Sequence, residues 1–389
     1  MQSLKYIVKS LKEVISMNAE RLFELLDVDF YSGVPDSQLK GLCDYLTSHL
    51  GISSKHIIAS NEGNCVGIAA GYYLSTGKVP VVYMQNSGIG NIINPVASLL
   101  HEKVYNIPCL FIIGWRGEPG VHDEPQHIYQ GEVTLKLLED MGIETFVIDK
   151  DTKEEILTQK MERFKAILKT GKSVALVVRK SAITYNGACE YTNQYTVTRE
   201  EAIKHIIRFS KEDPIVCTTG KASRELFELR ERNAQGHQYD FLTVGSMGHS
   251  SSIALGIALN KPETRVWCID GDGAAIMHMG SMAVIGSNSP GNLIHIIINN
   301  ESHETVGGMP TVASNINFVE IAKACGYSKM VSVSTIKELD MELEQATSEM
   351  ALTLIEIKCA IGSRADLGRP TSSPVDNKNS FMKYISGLK

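Results

Sequence analysis

The sequence predicts an α/β fold made of two doubly wound parallel-sheet domains, with no third domain between them. Segments typical of buried strands alternate with segments of helical length throughout the chain, and this alternation favours parallel sheets with crossover helices. The length of 389 residues is sufficient for two domains that each bury a core. Residues 186–197 are polar and too few to form a domain, so we interpret them as a linker between domains at 1–185 and 198–389.

The first half alternates strands with helices. Its predicted strands are Asp29–Ser32, Ile57–Ser60, Val79–Met84, Pro108–Ile113, Thr145–Ile148 and Ser173–Val178. Helices fit between them, for example at Ser37–Leu50, Gly63–Ser75 and Thr152–Lys169. Neighbouring parallel strands need long crossover connections, which these helices provide.

The second half repeats this order. A helix at Arg199–Phe209 precedes a strand at Ile215–Cys217, and a helix at Ala274–Ile285 follows a later strand. The other predicted strands are Asp240–Val244, Thr264–Ile269, Leu293–Ile298 and Leu352–Ile357. The tail after Cys359 is rich in Gly, Arg, Pro and Ser and has no periodicity, so we expect a frayed end or a loop that covers a site.

Composition and charge argue against several classes of function. A hydrophobic content of 43%, a charged content of 21% and a net charge of −6 give no reason to expect nucleic acid or an anionic membrane as a partner. The eight cysteines are scattered without a Cys-x-x-Cys pair, as expected for buried thiols in a reducing compartment. No apolar run reaches the ~18 to 20 residues of a membrane span, and the N-terminal segment lacks a signal-peptide core. We therefore expect a cytoplasmic protein.

The most informative motif is Gly271-Asp272-Gly273, which lies between a predicted strand and a predicted helix. The preceding run, Thr264–Ile269, contains the β-branched and aromatic residues of a buried strand. A glycine turn that opens a helix lets the backbone approach a bulky anion, which the free N–H groups and the positive end of the helix dipole attract. The motif therefore predicts an anion site.

Two asparagines, Asn299 and Asn300, end the next predicted strand. The carboxyl ends of neighbouring parallel strands lie at one edge of a sheet, so Asp272 and Asn300 can converge there. Carboxylate and amide oxygens beside a phosphate suit Mg²⁺ or Ca²⁺. The pair therefore predicts a site for a hard cation next to the anion.

The combination of Gly-Asp-Gly with a following Asn-Asn resembles the diphosphate-binding motif of thiamine diphosphate enzymes. The alternative is a plain strand–turn–helix crossover with an aspartate cap. The resemblance implies thiamine diphosphate and Mg²⁺ as cofactors, with the metal held by the Asp272 and Asn300 side chains and the Ser302 carbonyl. The residues around this motif that it implies at the cofactor are Gly271, Asp272, Gly273, Ala274 and Asn300.

A glutamate at the start of a first-half helix resembles the proton-transfer residue of this family. The segment 61–64 (Asn-Glu-Gly-Asn) follows a strand and opens a helix rich in Gly and Ala. The resemblance implies that Glu62 hydrogen-bonds the aminopyrimidine and promotes the tautomer whose nitrogen takes the proton from the thiazolium carbon. Burial would raise the pKa of Glu62 and help it share that proton. Alternatively, Glu62 only stabilises the helix dipole.

The segment 245–248 (Gly-Ser-Met-Gly) also resembles the family. A bulky apolar residue supports the bent cofactor at this point, so the resemblance implies that role for Met247 and places the Gly245 carbonyl opposite the amino group. Met247 would also keep the reacting carbon dry, unless it only fills a gap in the core. Two residues at another strand end, Thr219 and Gly220, are candidates to contact the diphosphate.

A second glycine-rich stretch, residues 87–91, partly matches a dinucleotide-binding fingerprint. Ile93 stands where the third glycine is needed, so we assign no nucleotide site there.

The predicted layout, with two domains joined directly, restricts the resemblance to certain decarboxylases of the family. Typical 2-oxo acid decarboxylases of the family carry a further central domain, whereas a pyrimidine-type half joined to a diphosphate-type half resembles the phosphonopyruvate and sulfopyruvate decarboxylases. Four stretches resemble the phosphonopyruvate enzymes in particular, namely 32–37, 114–120, 122–127 and 368–374. The resemblance implies a carbon–carbon lyase of phosphonate biosynthesis that converts 3-phosphonopyruvate to phosphonoacetaldehyde and CO₂. The alternatives are a sulfopyruvate decarboxylase, an acetolactate synthase-like carboligase, a non-catalytic subunit, and a flavin or nicotinamide oxidoreductase.

Candidate substrate residues follow the carboxyl ends of first-half strands. The turn at Asp36 and Ser37 and the loop with Arg116 lie where open α/β sheets bind ligands, and a guanidinium suits a phosphonate. The candidates to orient the carboxylate or supply the last proton are His122, His127 and His303. Further positive charge would come from the tail if it covers the site, namely from Arg364 and Arg369.

The resemblance also implies an oligomer. In the family, the activator glutamate and the diphosphate site that meet at one cofactor come from different subunits. Glu62 lies in the first half and Asp272 in the second, so we expect a homodimer or a higher homo-oligomer with the cofactor at the subunit interface. The other expected partner is the small-molecule substrate.

Overall fold

The computed structural model describes residues 17–388, so most of the segment considered above for a signal peptide lies outside the described residues. The chain divides into two units, the first ending at Cys189 and the second beginning at Glu190. Each unit contains a six-stranded sheet with parallel pairings throughout. The predicted fold class is therefore confirmed. Within the described part of the chain, no helix combines the length and apolar character needed to cross a membrane.

The first unit alternates strands and helices as predicted. Its strands are β1 (Met17–Asn18), β2 (Tyr31–Gly33), β3 (His56–Ile58), β4 (Val81–Gln85), β5 (Leu110–Gly114), β6 (Glu144–Ile148), β7 (Val174–Val178) and β8 (Ile183–Thr184). Its α-helices are α1 (Ala19–Leu26), α2 (Lys40–Leu50), α3 (Glu62–Thr76), α4 (Ile89–Pro95), α5 (Pro125–Asp140) and α6 (Glu154–Leu168). Shorter helical turns lie at Ser37–Leu39, Asn86–Gly88 and Val96–Leu100. The sheet order is β3-β2-β4-β5-β7-β6, and β1 pairs separately with β8.

The second unit repeats this plan. Its strands are β9 (Ile215–Cys217), β10 (Asp240–Leu242), β11 (Val266–Gly271), β12 (Leu293–Asn299), β13 (Lys329–Val333) and β14 (Thr353–Lys358). Its α-helices are α7 (Arg199–Ser210), α8 (Lys221–Arg232), α9 (Ser250–Asn260), α10 (Asp272–Met277), α11 (Gly280–Asn288), α12 (Phe318–Cys325), α13 (Ile336–Ser348) and α14 (Pro374–Ser386). Two 3₁₀ turns lie at Glu304–Val306 and Val312–Asn315. The sheet order is β10-β9-β11-β12-β14-β13.

In both sheets, the order in which strands are added reverses at the first strand of the sheet, β2 in the first sheet and β9 in the second. The chain passes from β2 outward to β3 and returns on the other side as β4, and it does the same from β9 through β10 to β11. Ligands of open α/β sheets bind beyond the carboxyl ends of strands at such switch points. The segments that carry most of the predicted site residues follow β2, β3 and β5 in the first unit and β9 to β12 in the second.

The central strands of the second sheet divide their side chains between two cores. Trp267 and Ile269 of β11 lie in the core formed with α7, α8 and α13, whereas Cys268 lies in the core formed with α9 to α12. Each fully buried large side chain contributes about 1.5–3 kcal/mol to folding. The register pairs Gly271 with Ile298, so the two motif-bearing strands end side by side.

The C-terminal tail differs from the expected frayed end or loop, because α14 forms there. Ser373 caps this helix and Pro374 occupies its first turn, which is a typical helix start. The Asn377 amide donates to the Asp240 carbonyl at 2.8 Å and accepts from the Leu242 N–H at 3.1 Å. These bonds satisfy backbone groups of β10 at the edge of the sheet, where unpaired groups would otherwise be exposed.

Two further elements differ from the prediction. The segment Ala274–Ile285, predicted as one helix, forms two, because the backbone leaves the helical conformation at His278. The strand β13 was not predicted, since it lies at a sheet edge and most of its residues are only half-buried. Such an edge strand lacks the continuous apolar run of a central one.

Candidate active site

Asp272 is the first residue of α10, directly after β11. Its side chain is buried, and one oxygen accepts a hydrogen bond from the Thr311 hydroxyl at 2.5 Å. Burial raises the pKa of Asp272 to about 7, because an ionised carboxylate is poorly solvated there. A bound cation would reverse this effect, so the side chain suits a metal ligand.

Asn300 follows β12 and opens a tight turn. Its Oδ1 accepts the N–H of Ser302 at 3.1 Å, and its Nδ2 donates to the Glu304 carboxylate at 2.9 Å. The side chains of Asn300 and Ser302 are both buried. The Ser302 N–H can only donate and the Glu304 carboxylate can only accept, so together they fix the orientation of the Asn300 amide.

Thr311 joins the two strand ends. Its hydroxyl donates to Asp272, and its backbone N–H donates to the Glu301 carbonyl within the Asn300 turn at 3.0 Å. The structure thus brings Asp272 and the Asn300 turn to one edge of the sheet. Thr311 was missed in the sequence, because it lies in an irregular segment that shows no strand-end pattern.

The oxygen atoms at this edge fit a divalent cation. They comprise a carboxylate, an amide carbonyl held in one orientation and the backbone of Ser302, and such hard donors are the ligands that Mg²⁺ and Ca²⁺ prefer. The costly burial of the Asp272 carboxylate is explained if a cation is bound beside it.

Gly273 and Ala274 form the buried first turn of α10. A Cβ at Gly273 would lie 3.2 Å from the His303 ring and 3.3 Å from Met247 Cε, so these side chains converge there. Gly271 has ordinary extended backbone, and no atom lies within 4 Å of where its Cβ would be. Glycine therefore leaves open space at this point, which suits a closely approaching diphosphate.

The loop after β10, which carries Met247, contains left-handed backbone. Ser246 has a φ of +53° and Gly248 a φ of +87°, and the first value is uncommon for a residue with a Cβ. The Thr219 hydroxyl donates to the Val244 carbonyl at 2.8 Å, which joins the end of β9 to this loop. The predicted residues Thr219, Gly220 and Met247 thus all lie at the carboxyl edge of the second sheet.

Histidines lie at both ends of α10, with His303 beside Gly273 at its start and His278 directly after its last residue. His303 is buried, and burial lowers its pKa to about 4, so its imidazole is neutral near pH 7. The rings of His249 and His278 lie 4.4 Å apart. Burial and the neighbouring His249 both lower the pKa of His278. This pair was missed in the sequence, because its members belong to different segments of the chain.

Glu62 is the first residue of α3 and is only 5% exposed. Burial raises its pKa, because an ionised carboxylate is poorly solvated there. The Asn91 side chain donates to its carboxylate at 2.7 Å. Gly88 packs so closely that a Cβ there would overlap with the carboxylate. The glycine-rich stretch 87–91 therefore forms part of the Glu62 pocket.

Arg116 and Ser37 lie together, with one guanidinium nitrogen 3.4 Å from the Ser37 hydroxyl. Arg116 is also held in a fork by Asp123, which accepts from Nε at 2.7 Å and from a terminal nitrogen. Burial works against ionisation of Asp123, but hydrogen bonds from Arg116 and two backbone N–H groups keep its pKa below the usual range. Asp123 therefore neutralises part of the charge of Arg116 and fixes the guanidinium.

Asp36 is fully buried after β2. One oxygen accepts from the Gln85 amide at 2.6 Å, while Oδ2 has no hydrogen-bond partner among the residues described. Burial raises the pKa of Asp36, against the effects of Gln85 and Arg116. A buried carboxyl with an unused oxygen can hydrogen-bond a ligand, and the protonated form can donate.

The loop that carries Arg116 is held by Asn86. The Asn86 amide donates to the Arg116 carbonyl at 2.8 Å and to the Thr134 hydroxyl at 2.9 Å, and it accepts the Arg116 N–H at 3.1 Å. His127 is buried in the first turn of α5, whereas His122 is exposed. The two predicted histidines therefore differ in exposure, and only His127 is enclosed by the protein.

The tail arginines do not form an unpaired positive patch. Arg364 donates to Glu200 at 2.8 Å and also pairs with Glu228 and Asp366. Its charge is offset by these carboxylates, so the expectation that Arg364 adds positive charge for a substrate is not met. Arg369 is solvent-exposed.

A thiamine diphosphate enzyme is the class of protein that these two parallel-sheet units define, with Glu62 in the first and the Asp272–Asn300 edge in the second. Comparison with known families agrees. Residues 17–148 match the thiamine pyrophosphate enzyme N-terminal TPP binding domain, and residues 218–357 match the C-terminal TPP binding domain. The chain belongs to the family of thiamine diphosphate enzymes.

Similar proteins place the chain among the decarboxylases of this family. It is 31% identical to a phosphonopyruvate decarboxylase of Streptomyces viridochromogenes, over 93% of this chain and 92% of that protein. A phosphonopyruvate decarboxylase of Streptomyces hygroscopicus is 32% identical over 93% of this chain and 91% of its own length. A sulfopyruvate decarboxylase of Methanosarcina acetivorans is 28% identical over 81% of this chain and 84% of its own. The protein is accordingly a thiamine diphosphate-dependent decarboxylase and a carbon–carbon lyase.

Proposed function

We propose that the protein decarboxylates 3-phosphonopyruvate to phosphonoacetaldehyde and CO₂, with thiamine diphosphate and Mg²⁺ as cofactors. The observation that carries this proposal is the cluster of Arg116, Ser37 and Asp36 beyond the carboxyl ends of β2 and β5. Arg116 and Ser37 can donate hydrogen bonds to an anion, and Asp36 can do so when protonated, whereas the methyl group of pyruvate needs only an apolar pocket. The similarity to two phosphonopyruvate decarboxylases supports the same substrate.

Asp123 prepares Arg116 for an anion. The fork uses Nε and one terminal nitrogen, and the other terminal nitrogen is directed toward Ser37. A guanidinium that is already held loses little conformational entropy when a ligand binds. Two charge-assisted hydrogen bonds at about 1.5–3 kcal/mol each favour a phosphonate over pyruvate by roughly 10²- to 10⁴-fold in kcat/KM.

The proposed roles of the other residues follow from their surroundings. Thiamine diphosphate, when bound, supplies the nucleophilic carbon and the electron sink that loss of CO₂ from a 2-oxo acid requires. Glu62, buried with a raised pKa, would hold a proton at the aminopyrimidine. Met247 would exclude water. The oxygens of Asp272, Asn300 and Ser302 would hold the metal.

A substrate panel tests the proposal. We expect kcat/KM for phosphonopyruvate to exceed that for pyruvate by about 10²- to 10⁴-fold. Arg116→Ala should remove most of this preference and leave the Kd of thiamine diphosphate unchanged, because the cofactor residues are intact. Arg163→Ala in α6, at a largely exposed arginine, is the matched control.

Sulfopyruvate decarboxylation is the second candidate, favoured by the similarity to the Methanosarcina acetivorans enzyme. A sulfonate offers the same three acceptor oxygens but only a single negative charge, so the same panel separates the two substrates. If sulfopyruvate or pyruvate is turned over as efficiently as phosphonopyruvate, the substrate assignment is wrong, although the cofactor chemistry survives.

The metal is tested by its removal. After chelation and dialysis, activity should return only when both thiamine diphosphate and a divalent cation are added. Asp272→Ala should abolish activity at ordinary cofactor concentrations, because it would remove a proposed ligand of the metal. Asp151→Ala, at an exposed aspartate, should change nothing. Full activity in protein shown to be free of metal would exclude the role of Asp272.

A further inference from the structure

A largely buried carboxylate, that of Glu304, contacts the Asn300 amide. Its Oε2 accepts hydrogen bonds from Asn300 Nδ2 at 2.9 Å and from the Arg199 guanidinium at 2.8 Å. Its Oε1 accepts one from the Lys221 ammonium at 2.6 Å. The Glu304 side chain is only 9% exposed, so these three partners, rather than solvent, determine its position.

Arg199 is held in turn by a second carboxylate. Its Nε and a terminal nitrogen donate to the two oxygens of Glu225 at 2.7 and 2.8 Å, and both side chains are buried. Arg199 is the first residue of α7, and Lys221 is the first residue of α8. Two cations thus balance two carboxylates in a network that connects the starts of two helices to the turn after β12.

We propose that Glu304 is a positioning residue that orients the Asn300 amide for metal binding. A carboxylate only accepts hydrogen bonds, so Asn300 must turn its NH₂ group toward Glu304 and its carbonyl oxygen away from it. The Ser302 N–H selects the same orientation from the other side. A cation held by Oδ1 would polarise the amide and strengthen its donation to Glu304, so the two interactions would reinforce each other.

The two cations explain how a carboxylate can occupy this place. An unpaired negative charge near a bound diphosphate would repel it, whereas Arg199 and Lys221 offset the charge of Glu304 and hold it in one rotamer. Partners of metal ligands typically change metal affinity by about 10- to 100-fold. Replacing Glu304 should therefore weaken Mg²⁺ binding without removing a ligand. This inference rests on the proposed role of Asn300 as a metal ligand.

Glu304→Gln tests the inference, with Glu225→Gln as the matched control. Both changes remove a buried negative charge from beside Arg199, but only the first changes the partner of Asn300. For Glu304→Gln we expect the Mg²⁺ concentration that half-saturates thiamine diphosphate binding, measured by calorimetry, to rise about 10- to 100-fold. Its kcat should approach the wild-type value at saturating Mg²⁺. Glu225→Gln should lower the Tm but leave the Mg²⁺ requirement unchanged.

If Glu304→Gln fails to fold, Glu304→Asp keeps the charge, withdraws it from Asn300 and should show the same increased Mg²⁺ requirement. An unchanged requirement in the folded Glu304 variant, or an equal rise in Glu225→Gln, would show that the network serves stability alone and would overturn the inference. Failure of the proposed function has a different signature. In that case wild-type protein would bind thiamine diphosphate without a divalent metal, or Asp272→Ala would leave that binding unaffected.

Discussion

Glu62 and Asp272 are both buried carboxylic acids at the first residue of a helix, yet their neighbours suit them to different tasks. The contact to Glu62 is a neutral amide from Asn91, and burial raises its pKa, which suits a group that holds and passes a proton. Asp272 lies beside the fixed oxygens of the Asn300 turn, which suits a metal ligand. The assignment of roles therefore depends on the surroundings rather than on the residue type.

The role of Glu62 predicts the effect of a conservative change. Glu62→Gln should bind the cofactor nearly normally, because the side chain keeps its size and can still accept from Asn91. Exchange of the thiazolium proton should slow by roughly 10²- to 10⁴-fold, about 3 to 5 kcal/mol. Hydrogen–deuterium exchange at that carbon, followed by NMR, measures this directly.

Glu155→Gln is the matched control, since Glu155 also lies in the first turn of a helix but is exposed. It should leave the exchange rate unchanged. An unchanged rate in Glu62→Gln as well would reassign Glu62 to helix capping.

At the scale of elements, α14 stabilises the edge strand β10, although it lies in the C-terminal tail. Asn377 is buried and makes two hydrogen bonds to the backbone of β10, which is an edge strand. Removal of its amide leaves a buried N–H and a buried carbonyl unsatisfied. Each such loss costs about 1–3 kcal/mol.

Asn377→Ala should therefore lower the free energy of unfolding by about 2–6 kcal/mol, the sum of the two losses, as measured by urea denaturation of the holoenzyme. Asn379→Ala is the control within the same helix, because Asn379 is exposed. Equal stability of the two variants would mean that solvent replaces the Asn377 contacts and that α14 does not secure β10.

Elements with a strong local pattern could be predicted from the sequence. The strand β9 has the predicted bounds, and β11 and β12 both extend to the motif residues that follow them. The division into α10 and α11 and the edge strand β13 could not be predicted, because packing overrides a weak local pattern there. The start of α14 does carry a local helix-start signal, in Ser373 and Pro374.

The candidate site was predictable where residues follow strand ends in a recognisable motif. Asp272, Asn300 and Glu62 lie at such ends. Asp123 was missed because it pairs with Arg116 within an irregular loop, where no strand or helix pattern marks it. Thr311 and Glu304 were missed because each contacts a segment distant in sequence. Pairing of this kind depends on tertiary contacts, which local residue patterns do not encode.

At the scale of the whole molecule, the two units share one topology and divide the chemistry. Their sheets place the strands in the same relative order, and in each the candidate residues follow the carboxyl ends of strands. The first unit carries Glu62 and the Arg116 cluster, and the second carries the residues proposed for the metal and the diphosphate. The resemblance to the family implies that one cofactor takes contributions from both kinds of unit and that these come from different subunits, and we carry this over as a prediction.

A protein built this way should be at least a homodimer, and two inactive variants should restore each other. In mixed dimers of Glu62→Ala and Asp272→Ala chains, one of the two sites would combine an intact Glu62 with an intact Asp272. Random mixing by co-expression should therefore recover about a quarter of wild-type activity, since half of the dimers are mixed and each has one intact site. Sedimentation of the mixture supplies the oligomeric state. An active monomer, or no recovery in mixtures shown to contain mixed dimers, would place both residues at a cofactor held by a single chain.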